Sequence, residues 1–429
     1  MARFVTILAT LSVSAVVLAA SSASAAPVNP DRAFRTLPVR QTLDAGSSSS
    51  ISPAILRKKL GKLIRRFGES AGAWIAPAQG GKAIFVDDAG RAFPMASVTN
   101  LFTTGTALTR LGSASTREPT VWSRTEPIDG VAVGGIVLVG DGDPTLAGSG
   151  IAKLAKRIAT AGIERVQGPV FYDASNFDLR TTVPQTGVTG GPYLGSLSGL
   201  SYGWGWGDSG PVSNPAGTAA SELARTLRAR GVVVSGTVKR APEGLQRAEQ
   251  VARLESPAMS SIAAATNAPS DNFLAEMTLK ILSDQLGPLG TTKAGVRIVE
   301  RFAAANDARI SIENGSGLSR RNRATPAAVG RFLRSMAGEP PAVASAFRDS
   351  LAVAGRTGTL AYRMKGTAAE ERCQAKTGTL NGVSALSGYC RTASSESVAF
   401  SLLFGGRVDT DAARTAQDKV AALIASLRL

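Results

Sequence analysis

The alternation of hydrophobic and polar residues along the chain predicts both helices and strands. Apolar residues spaced three and four apart indicate helices near 53–67, 96–111, 270–286, 291–305, 326–336 and 411–427. Short alternating or continuous apolar runs indicate strands at 73–75, 82–86, 373–380, 383–390 and 397–404. A helix and a hairpin at the start, with a three-strand meander and a helix at the end, favour an α/β (α+β) sandwich whose sheet joins both ends of the chain.

Residues 115–257 interrupt this arrangement with elements of another kind. Strand patterns fall at 135–139, 169–172 and 232–239, and helical patterns near 149–162 and 218–230. A chain of 429 residues also exceeds what one hydrophobic core usually organises. We therefore expect one domain formed by residues 53–114 and 258–429, with residues 115–257 inserted into it.

The first 25 residues have the pattern of a secretory signal peptide. Arg3 gives a short positive start, residues 4–20 are mostly apolar, and residues 23–25 (Ala-Ser-Ala) match an A-x-A cleavage site. An anchoring helix is the weaker interpretation, because Thr and Ser dilute the apolar run. Residues 26–52 are polar and predict a flexible lead-in. We expect export to the periplasm, cell wall or extracellular space, with no membrane-spanning segment after cleavage.

The composition excludes several catalytic strategies. The chain contains no histidine, so Ser-His-Asp triads, Cys-His dyads and histidine-ligated zinc sites cannot form. A hydrolytic reaction would have to use lysine, tyrosine or a carboxylate as its proton acceptor. No metal and no cofactor is expected.

The formal net charge of +16 indicates a polyanionic partner. Export argues against nucleic acid and favours anionic polymers of the cell envelope. Six cations of the first predicted helix are candidates for such contacts: Arg57, Lys58, Lys59, Lys62, Arg65 and Arg66. The simpler interpretation, which we favour, makes them the solvated face of a helix whose Ile55, Leu56, Leu60, Leu63 and Ile64 are buried.

The two cysteines, Cys373 and Cys390, are expected to form a disulfide in an oxidising compartment. Asn381-Gly382 predicts a two-residue hairpin between strands, so that partner numbers always sum to 763. The two cysteine numbers have that sum, which places them opposite each other at a separation suited to a disulfide. Two unpaired buried cysteines are the alternative.

Three short motifs supply candidate chemistry. Ser97 begins a buried helix, where the helix dipole favours a developing alkoxide. Ser270 and Asn272, in Ser-Asp-Asn, can direct a hydroxyl and an amide into one cleft. Lys376, in Lys-Thr-Gly, would place a cation beside backbone that a peptide substrate can approach closely. Together they could provide a nucleophile, a proton shuttle and a carboxylate anchor.

Each motif alone has an ordinary structural explanation. Ser270 is also a good helix cap, Ser97 an ordinary helix-start serine, and Lys376 a solvated strand lysine. The order of all three in an exported chain is a far more specific signal.

These motifs resemble the signature of penicillin-binding proteins and serine β-lactamases, which is S-x-x-K, S-D-N and K-T-G. Longer strings resemble the low-molecular-mass D-alanyl-D-alanine carboxypeptidase/endopeptidase branch (penicillin-binding protein 4-like): GDGDPTL at 140–146, GSGLS at 315–319 and KTGTLNGV at 376–383. The resemblance covers nearly the whole mature chain, including the large insertion. It implies a penicillin-binding transpeptidase fold and action on peptidoglycan stem peptides through a serine acyl-enzyme, with β-lactams as covalent ligands.

The resemblance also implies a role for each motif residue. Ser97 would be the nucleophile, Ser270 a proton relay, and Asn272 the group that holds the substrate amide. Lys376, Thr377, Gly378 and Thr379 would bind the terminal carboxylate, and the N–H groups of Ser97 and Thr379 would form the oxyanion hole.

Two departures from the family pattern change the expected chemistry. Asn100 stands three residues after Ser97, where the family has the lysine that takes the serine proton, and an amide is not a usable base. Glu313-Asn314 precedes the GSG string, where relatives usually have Asp. Lys376 or Ser270 could replace the missing base.

Two hypotheses for the function follow: a serine carboxypeptidase or endopeptidase acting through Ser97, or a non-catalytic homologue that binds peptidoglycan. A β-lactamase is disfavoured by the large insertion.

Overall fold

The structure is a computed structural model that describes residues 51–188 and 193–428. The predicted signal peptide, and the predicted lead-in up to residue 50, lie outside these residues. Ile51 pairs with Leu427 at the other end of the chain, and its N–H donates to Ser426 O at 3.0 Å. Within this part of the chain, no helix is both long and apolar enough to cross a bilayer.

The α-helices of the described residues are numbered here in chain order. They are α1 (Pro53–Ile64), α2 (Thr99–Arg110), α3 (Gly148–Thr160), α4 (Pro215–Ala229), α5 (Met259–Asn267), α6 (Asn272–Gln285), α7 (Thr292–Ala305), α8 (Pro326–Ala337), α9 (Pro341–Asp349) and α10 (Thr410–Ala425). Short 3₁₀ segments cover Arg65–Ser70, Ala96–Val98, Gly203–Gly205 and Gly358–Leu360.

The strands are numbered in the same way. They are β1 (Ala71–Pro77), β2 (Phe85–Asp87), β3 (Phe93–Pro94), β4 (Thr120–Ser123), β5 (Val131–Val133), β6 (Ile136–Val139), β7 (Arg165–Gln167), β8 (Val170–Asp173), β9 (Trp206–Gly207), β10 (Gly210–Pro211), β11 (Val233–Val234), β12 (Val238–Arg240), β13 (Glu249–Arg253), β14 (Ile310–Ser311), β15 (Arg323–Ala324), β16 (Ala352–Val353), β17 (Cys373–Leu380), β18 (Val383–Arg391) and β19 (Ser397–Phe404).

One six-stranded sheet joins the two ends of the chain. Its strand order is β16-β17-β18-β19-β1-β2, and neighbouring strands are antiparallel. Helices α1 and α10 cover one face, where Leu56, Leu60 and Ile424 pack against side chains of the sheet. On the other face a larger core includes side chains of α2, α5, α6, α7, α8 and α9. This arrangement confirms the predicted α+β sandwich.

The segment that follows α2 builds its own sheets and core. A five-stranded sheet has the order β12-β8-β6-β4-β13, and a three-stranded sheet has the order β11-β7-β5. Helices α3 and α4 pack on these strands around Leu154, Leu223 and Leu138, which are fully buried. The structure thus contains an additional unit of sheets and helices, which lies in the sequence between α2 and α5.

The predicted hairpin between β17 and β18 is confirmed residue by residue. Leu380 pairs with Val383 and Cys373 with Cys390, and the two cysteines form a disulfide with their Cα atoms 4.0 Å apart. Lys376 pairs with Ser387 in the same ladder, so this hairpin fixes the position of the Lys-Thr-Gly motif.

Several predicted boundaries differ from the structure. The first helix ends at Ile64 and continues as a 3₁₀ segment, and Ile55 is 49% exposed rather than buried. The helix that begins near residue 270 has Asp271 as its N-cap, so Ser270 precedes it. Helices α5 and α9 were not predicted, because each is only nine residues long and too short for a helical period to stand out in the sequence.

Candidate active site

Ser97 lies in a tight turn that leads into the buried helix α2. The 3₁₀ segment Ala96–Val98 runs directly into α2, and Ala96 has a φ of 47°. Such left-handed backbone is unusual for a residue with a Cβ and is frequent at functional sites. Ser97 is partly exposed, while Ala96 and Val98 are buried, so the hydroxyl-bearing residue is the accessible one of the turn.

Two glycines let neighbouring backbone approach this turn. A Cβ on Gly317 would lie 1.9 Å from Ala96 O and 2.8 Å from Ser97 N, and Gly317 has a φ of 86°. A Cβ on Gly378 would lie 2.5 Å from Met95 O. The GSG loop and strand β17 therefore both press against the Ser97 turn, and only glycine permits these distances.

The Ser-Asp-Asn and Lys-Thr-Gly motifs are in direct contact. Lys376 Nζ donates to Ser270 Oγ at 2.6 Å and to Thr377 O at 2.9 Å. Ser270 has a φ of 68°, left-handed backbone that is unusual for a residue with a Cβ and is frequent at functional sites. Lys376 and Gly378 alternate with Thr377 and Thr379, so Lys376 shares the face of β17 that meets the Ser97 turn. The alternative interpretation of Lys376 as a solvated strand lysine is thus wrong, because the side chain is fully buried.

The Lys376 amine is buried and poorly suited to carry a charge. The side chain has 0% exposure, and burial lowers its pKa to about 7. Its two hydrogen-bond partners are a hydroxyl and a carbonyl, and neither offsets the loss of water around an ammonium ion. At neutral pH this amine is therefore able to accept a proton from the Ser270 hydroxyl.

Asp271 and Asn272 join this motif to the segment that follows β8. The Asp271 carboxylate caps α6 by accepting from Leu274 N at 2.8 Å, and it also accepts from Trp204 Nε1 at 3.0 Å. Burial raises the pKa of Asp271 to about 6. Asn272 Nδ2 donates to Tyr193 O at 3.1 Å. Tyr193 and Trp204, both in the segment between β8 and β9, thus contact the Ser-Asp-Asn turn directly.

The two threonines that follow Lys376 lie on the opposite face of β17. Thr377 Oγ1 bonds to Thr359 Oγ1 at 2.8 Å, and Thr379 is exposed. Thr359 N in turn donates to Ala268 O at 2.9 Å, just before Ser270. The loop around Thr359 therefore ties β17 to the start of the Ser-Asp-Asn motif.

Asn100 is buried without a side-chain partner. It has 0% exposure, and neither Nδ2 nor Oδ1 has a hydrogen-bond partner among the described residues. Its backbone carbonyl accepts from Thr104 Oγ1 at 2.7 Å, as a helical residue often does. An unpaired buried amide costs about 1–3 kcal/mol. Nothing in this contact set gives Asn100 a role in proton transfer.

The loop that carries the GSG string is held by several buried polar groups. Glu276 on α6 accepts from Gly315 N at 3.0 Å and from Ser316 N at 2.7 Å, and burial raises its pKa. Asn314 Oδ1 accepts from Gly317 N at 3.0 Å. Sequence reasoning missed Glu276, although a single acidic residue in the apolar run FLAEMTL was a visible signal.

Glu313, the other departure from the family pattern, also closes this loop. Its Oε2 accepts from Ser319 Oγ at 2.6 Å and its Oε1 from Arg321 Nη1 at 3.1 Å. The bond from Ser319 holds the pKa of Glu313 below its usual range. The residue has a structural role, for which the sequence alone offered no explanation.

A sheet flanked by helices, a serine on a turn at the start of a buried helix, and a Ser–Lys pair from two other elements define the class of penicillin-interacting serine enzymes. A family model described as the D-Ala-D-Ala carboxypeptidase 3 (S13) family matches residues 56–187 and 207–427. The chain belongs to this family of serine-type hydrolases.

Curated relatives agree with this assignment. The chain is 29% identical over 442 residues to the D-alanyl-D-alanine carboxypeptidase of Actinomadura sp. (strain R39), covering 83% of this chain and 81% of the relative. It is 26% identical over 405 residues to carboxypeptidase DacB of Mycolicibacterium smegmatis, covering 89% and 84%.

Solved structures support the fold. Penicillin binding protein 4 (dacB) from Haemophilus influenzae matches with a TM-score of 0.74 at 18% identity, covering 84% of this chain and 97% of that chain. The predatory peptidoglycan endopeptidase Bd3459 from Bdellovibrio bacteriovorus matches with a TM-score of 0.56 at 18% identity, covering 82% and 92%.

Proposed function

We propose that this protein is an exported serine-type D-alanyl-D-alanine carboxypeptidase that acts on peptidoglycan stem peptides through a Ser97 acyl-enzyme. Its family membership and the carboxypeptidase relatives support the reaction class. The observation that carries the proposal is the 2.6 Å contact between Lys376 Nζ and Ser270 Oγ, which provides a buried base although Asn100 occupies the usual lysine position.

The proposed acylation step uses two linked proton transfers, from Ser97 to Ser270 and from Ser270 to Lys376, and replaces the peptide bond by a Ser97 ester. Ser97 Oγ attacks the carbonyl carbon of the penultimate D-Ala while its proton passes to Ser270 Oγ, and the Ser270 proton passes to Lys376 Nζ. The same chain returns a proton to the nitrogen of the leaving D-Ala as the peptide bond breaks. Water then hydrolyses the ester and regenerates the Ser97 hydroxyl.

The remaining motif residues bind the substrate in this scheme. Asn272 holds the peptide amide, Thr377 and Thr379 hold the terminal carboxylate beside Gly378, and the N–H groups of Ser97 and Thr379 stabilise the oxyanion. A β-lactam offers the same carbonyl and carboxylate, so penicillins are expected to acylate Ser97. Structures of this fold have been solved with β-lactams, among them the Haemophilus influenzae protein in a β-lactam complex and Bd3459 acylated by penicillin G.

A second candidate function is a non-catalytic homologue that binds stem peptides through the same cleft. The burial of Asn100 without any side-chain partner among the described residues favours it, because the family's usual base is lost and nothing has taken its place in α2. Loss of a general base typically lowers a rate by about 10²–10⁴-fold.

The proposed location is outside the cytoplasmic membrane, at the cell wall or in the periplasm. The predicted signal peptide supports export, and the net charge of +16 favours association with anionic cell-envelope polymers.

Covalent labelling tests the proposal. The mature protein is incubated with a fluorescent penicillin, and the adduct is measured by intact mass together with D-Ala release from a stem pentapeptide. We expect an adduct of one penicillin per chain that is absent in Ser97→Ala, and D-Ala release that depends on Ser97.

The variant Asn100→Lys separates the two candidate functions. If the unaltered protein forms no adduct and releases no D-Ala, while Asn100→Lys does both, the non-catalytic function is correct. If both proteins react, the carboxypeptidase stands, and the ratio of their rates measures how well Ser270 and Lys376 replace the missing lysine.

A further inference from the structure

The carboxylate subsite of the proposed reaction needs a cation other than Lys376. The Lys376 amine is fully buried and already donates to Ser270 Oγ and Thr377 O. As the proton acceptor it must also be neutral before each turnover. Thr377 and Thr379 lie on the other face of β17, so a carboxylate bound by their hydroxyls lies away from the amine.

Arg414 on α10 lies beside this subsite. Its Nη2 is 3.5 Å from Thr379 Oγ1, and its Nη1 is 3.2 Å from Asp411 Oδ1. The Asp411 side chain is 86% exposed and that of Arg414 is 42% exposed. An ion pair this exposed contributes little, so an incoming carboxylate can replace Asp411 at small cost.

The backbone that carries Arg414 is fixed on the sheet. Arg363 Nη2 donates to Arg414 O at 3.4 Å and to Asp418 Oδ1 at 2.7 Å. Gln417, on the next turn of α10, exchanges hydrogen bonds with Ser384 Oγ at 3.2 and 3.4 Å. Ser384 is the ladder partner of Thr379, so these contacts hold α10 over the end of β17.

We propose that Arg414 binds the terminal carboxylate of the D-alanyl-D-alanine substrate together with Thr379, and that it supplies the positive charge of this subsite. The inference rests on the proposed function, because that function places the carboxylate at Thr379. A planar guanidinium suits the role, since it can bind a carboxylate through two parallel hydrogen bonds. The same position receives the carboxylate of a penicillin.

Equilibrium binding in the Ser97→Ala background tests this role without any chemistry. Two fluorescein-labelled L-Lys-D-Ala-D-Ala peptides are compared by anisotropy, one with a free C-terminal acid and one with a C-terminal amide. We expect the acid to bind more tightly. Arg414→Gln weakens binding of the acid about tenfold and leaves the amide unchanged, while Arg414→Lys is intermediate. Lys419→Gln, an exposed lysine of the same helix, is the charge-matched control and changes neither.

The outcomes distinguish this proposal from the proposed function. If Arg414→Gln binds the acid as tightly as the parent, or weakens acid and amide equally, the role of Arg414 is overturned even if Ser97 is acylated. If the acid-specific loss is seen but Ser97 is never acylated, the role stands and the catalytic function fails. Absence of binding by both peptides contradicts both.

Discussion

Asn100 is the residue that separates the two candidate functions, a serine carboxypeptidase and a non-catalytic homologue that binds peptidoglycan. The amide is fully buried, and its two polar atoms have no partner among residues 51–188 and 193–428. A residue that took part in catalysis would be expected to contact Ser97 or its proton acceptor. Asn100 is therefore best described as an unpaired polar residue in a buried helix, and the proposed mechanism assigns proton transfer to Ser270 and Lys376.

Removing the polarity of Asn100 is expected to stabilise the protein. Asn100→Leu replaces an unpaired amide by an apolar group of similar size, so the free energy of unfolding should rise by about 1 kcal/mol. The rate of adduct formation with penicillin should not fall. Asn100→Asp, which buries a charge, is the control and should lower stability. Denaturant unfolding gives both values, and a loss of stability in Asn100→Leu would contradict the description of this site.

Lys376 should make stability depend on pH in a defined direction. Burial lowers the pKa of Lys376 from 10.5 to about 7, so between these values the unfolded chain binds the additional proton. The contribution of Lys376 to stability is fully present above pH 10.5 and is lost as pH falls to about 7. The unfolding free energy of the parent minus that of Lys376→Met should therefore increase from pH 7 to 9.5, by at most about 1.4 kcal/mol per pH unit. A difference that stays constant over this range would contradict the low pKa.

At the scale of elements, the site depends on how closely β17 and the GSG loop approach the turn before α2. Gly378→Ala would place a Cβ 2.5 Å from Met95 O, which forces the strand and the turn apart. We expect a loss of about 1–3 kcal/mol in stability and a much larger loss in adduct formation. Gly90→Ala, where an added Cβ meets nothing within 4 Å, is the matched control. Unchanged labelling of Gly378→Ala would show that this approach is not needed.

The elements differ in how far they could be predicted from the sequence. The β17–β18 register followed from Asn381-Gly382 alone, because turn chemistry and period-two alternation are local. The contact of Lys376 with Ser270 joins residues 106 positions apart, and only the family resemblance pointed to it. The left-handed conformations of Ala96 and Ser270 leave no trace in hydrophobic periodicity. Arg414 was not predicted either, since its place depends on how α10 packs on the sheet.

At the scale of the whole molecule, the segment after α2 is connected to the site and is not a separate appendage. Trp204, which is buried with a φ of 61°, donates to the carboxylate that caps α6. Gly187 N and Thr186 N donate to Leu318 O at 3.1 Å beside the GSG loop. These contacts identify Trp204 as a packing residue between this segment and the start of α6.

The net positive charge of the whole molecule, rather than one patch of cations, should determine its binding to anionic cell-wall polymer. The six cations of the first predicted helix are exposed, four on α1 above its buried Leu56, Leu60 and Ile64 and two at the start of the 3₁₀ segment, as expected for a solvated face. We expect the protein to cosediment with anionic cell-wall polymer at low salt and to be released as salt rises, because the screening length falls to about 10 Å at 0.1 M. Gln substitutions at Lys58, Lys59 and Lys62 should weaken retention as much as Gln substitutions at Lys153, Lys156 and Lys239. Selective loss in the first set would instead identify a docking face on α1.

The pH dependence of Ser97 acylation tests the central claim most directly. Time courses of penicillin adduct formation by intact mass give the second-order rate constant between pH 5.5 and 8.5. Because a neutral Lys376 must accept the proton, the rate constant should fall about tenfold per pH unit below an apparent pKa near 7. The same profile should persist in Asn100→Leu and vanish with the adduct in Lys376→Met. A rate that is independent of pH over this range, or an undiminished adduct in Lys376→Met, would contradict the account.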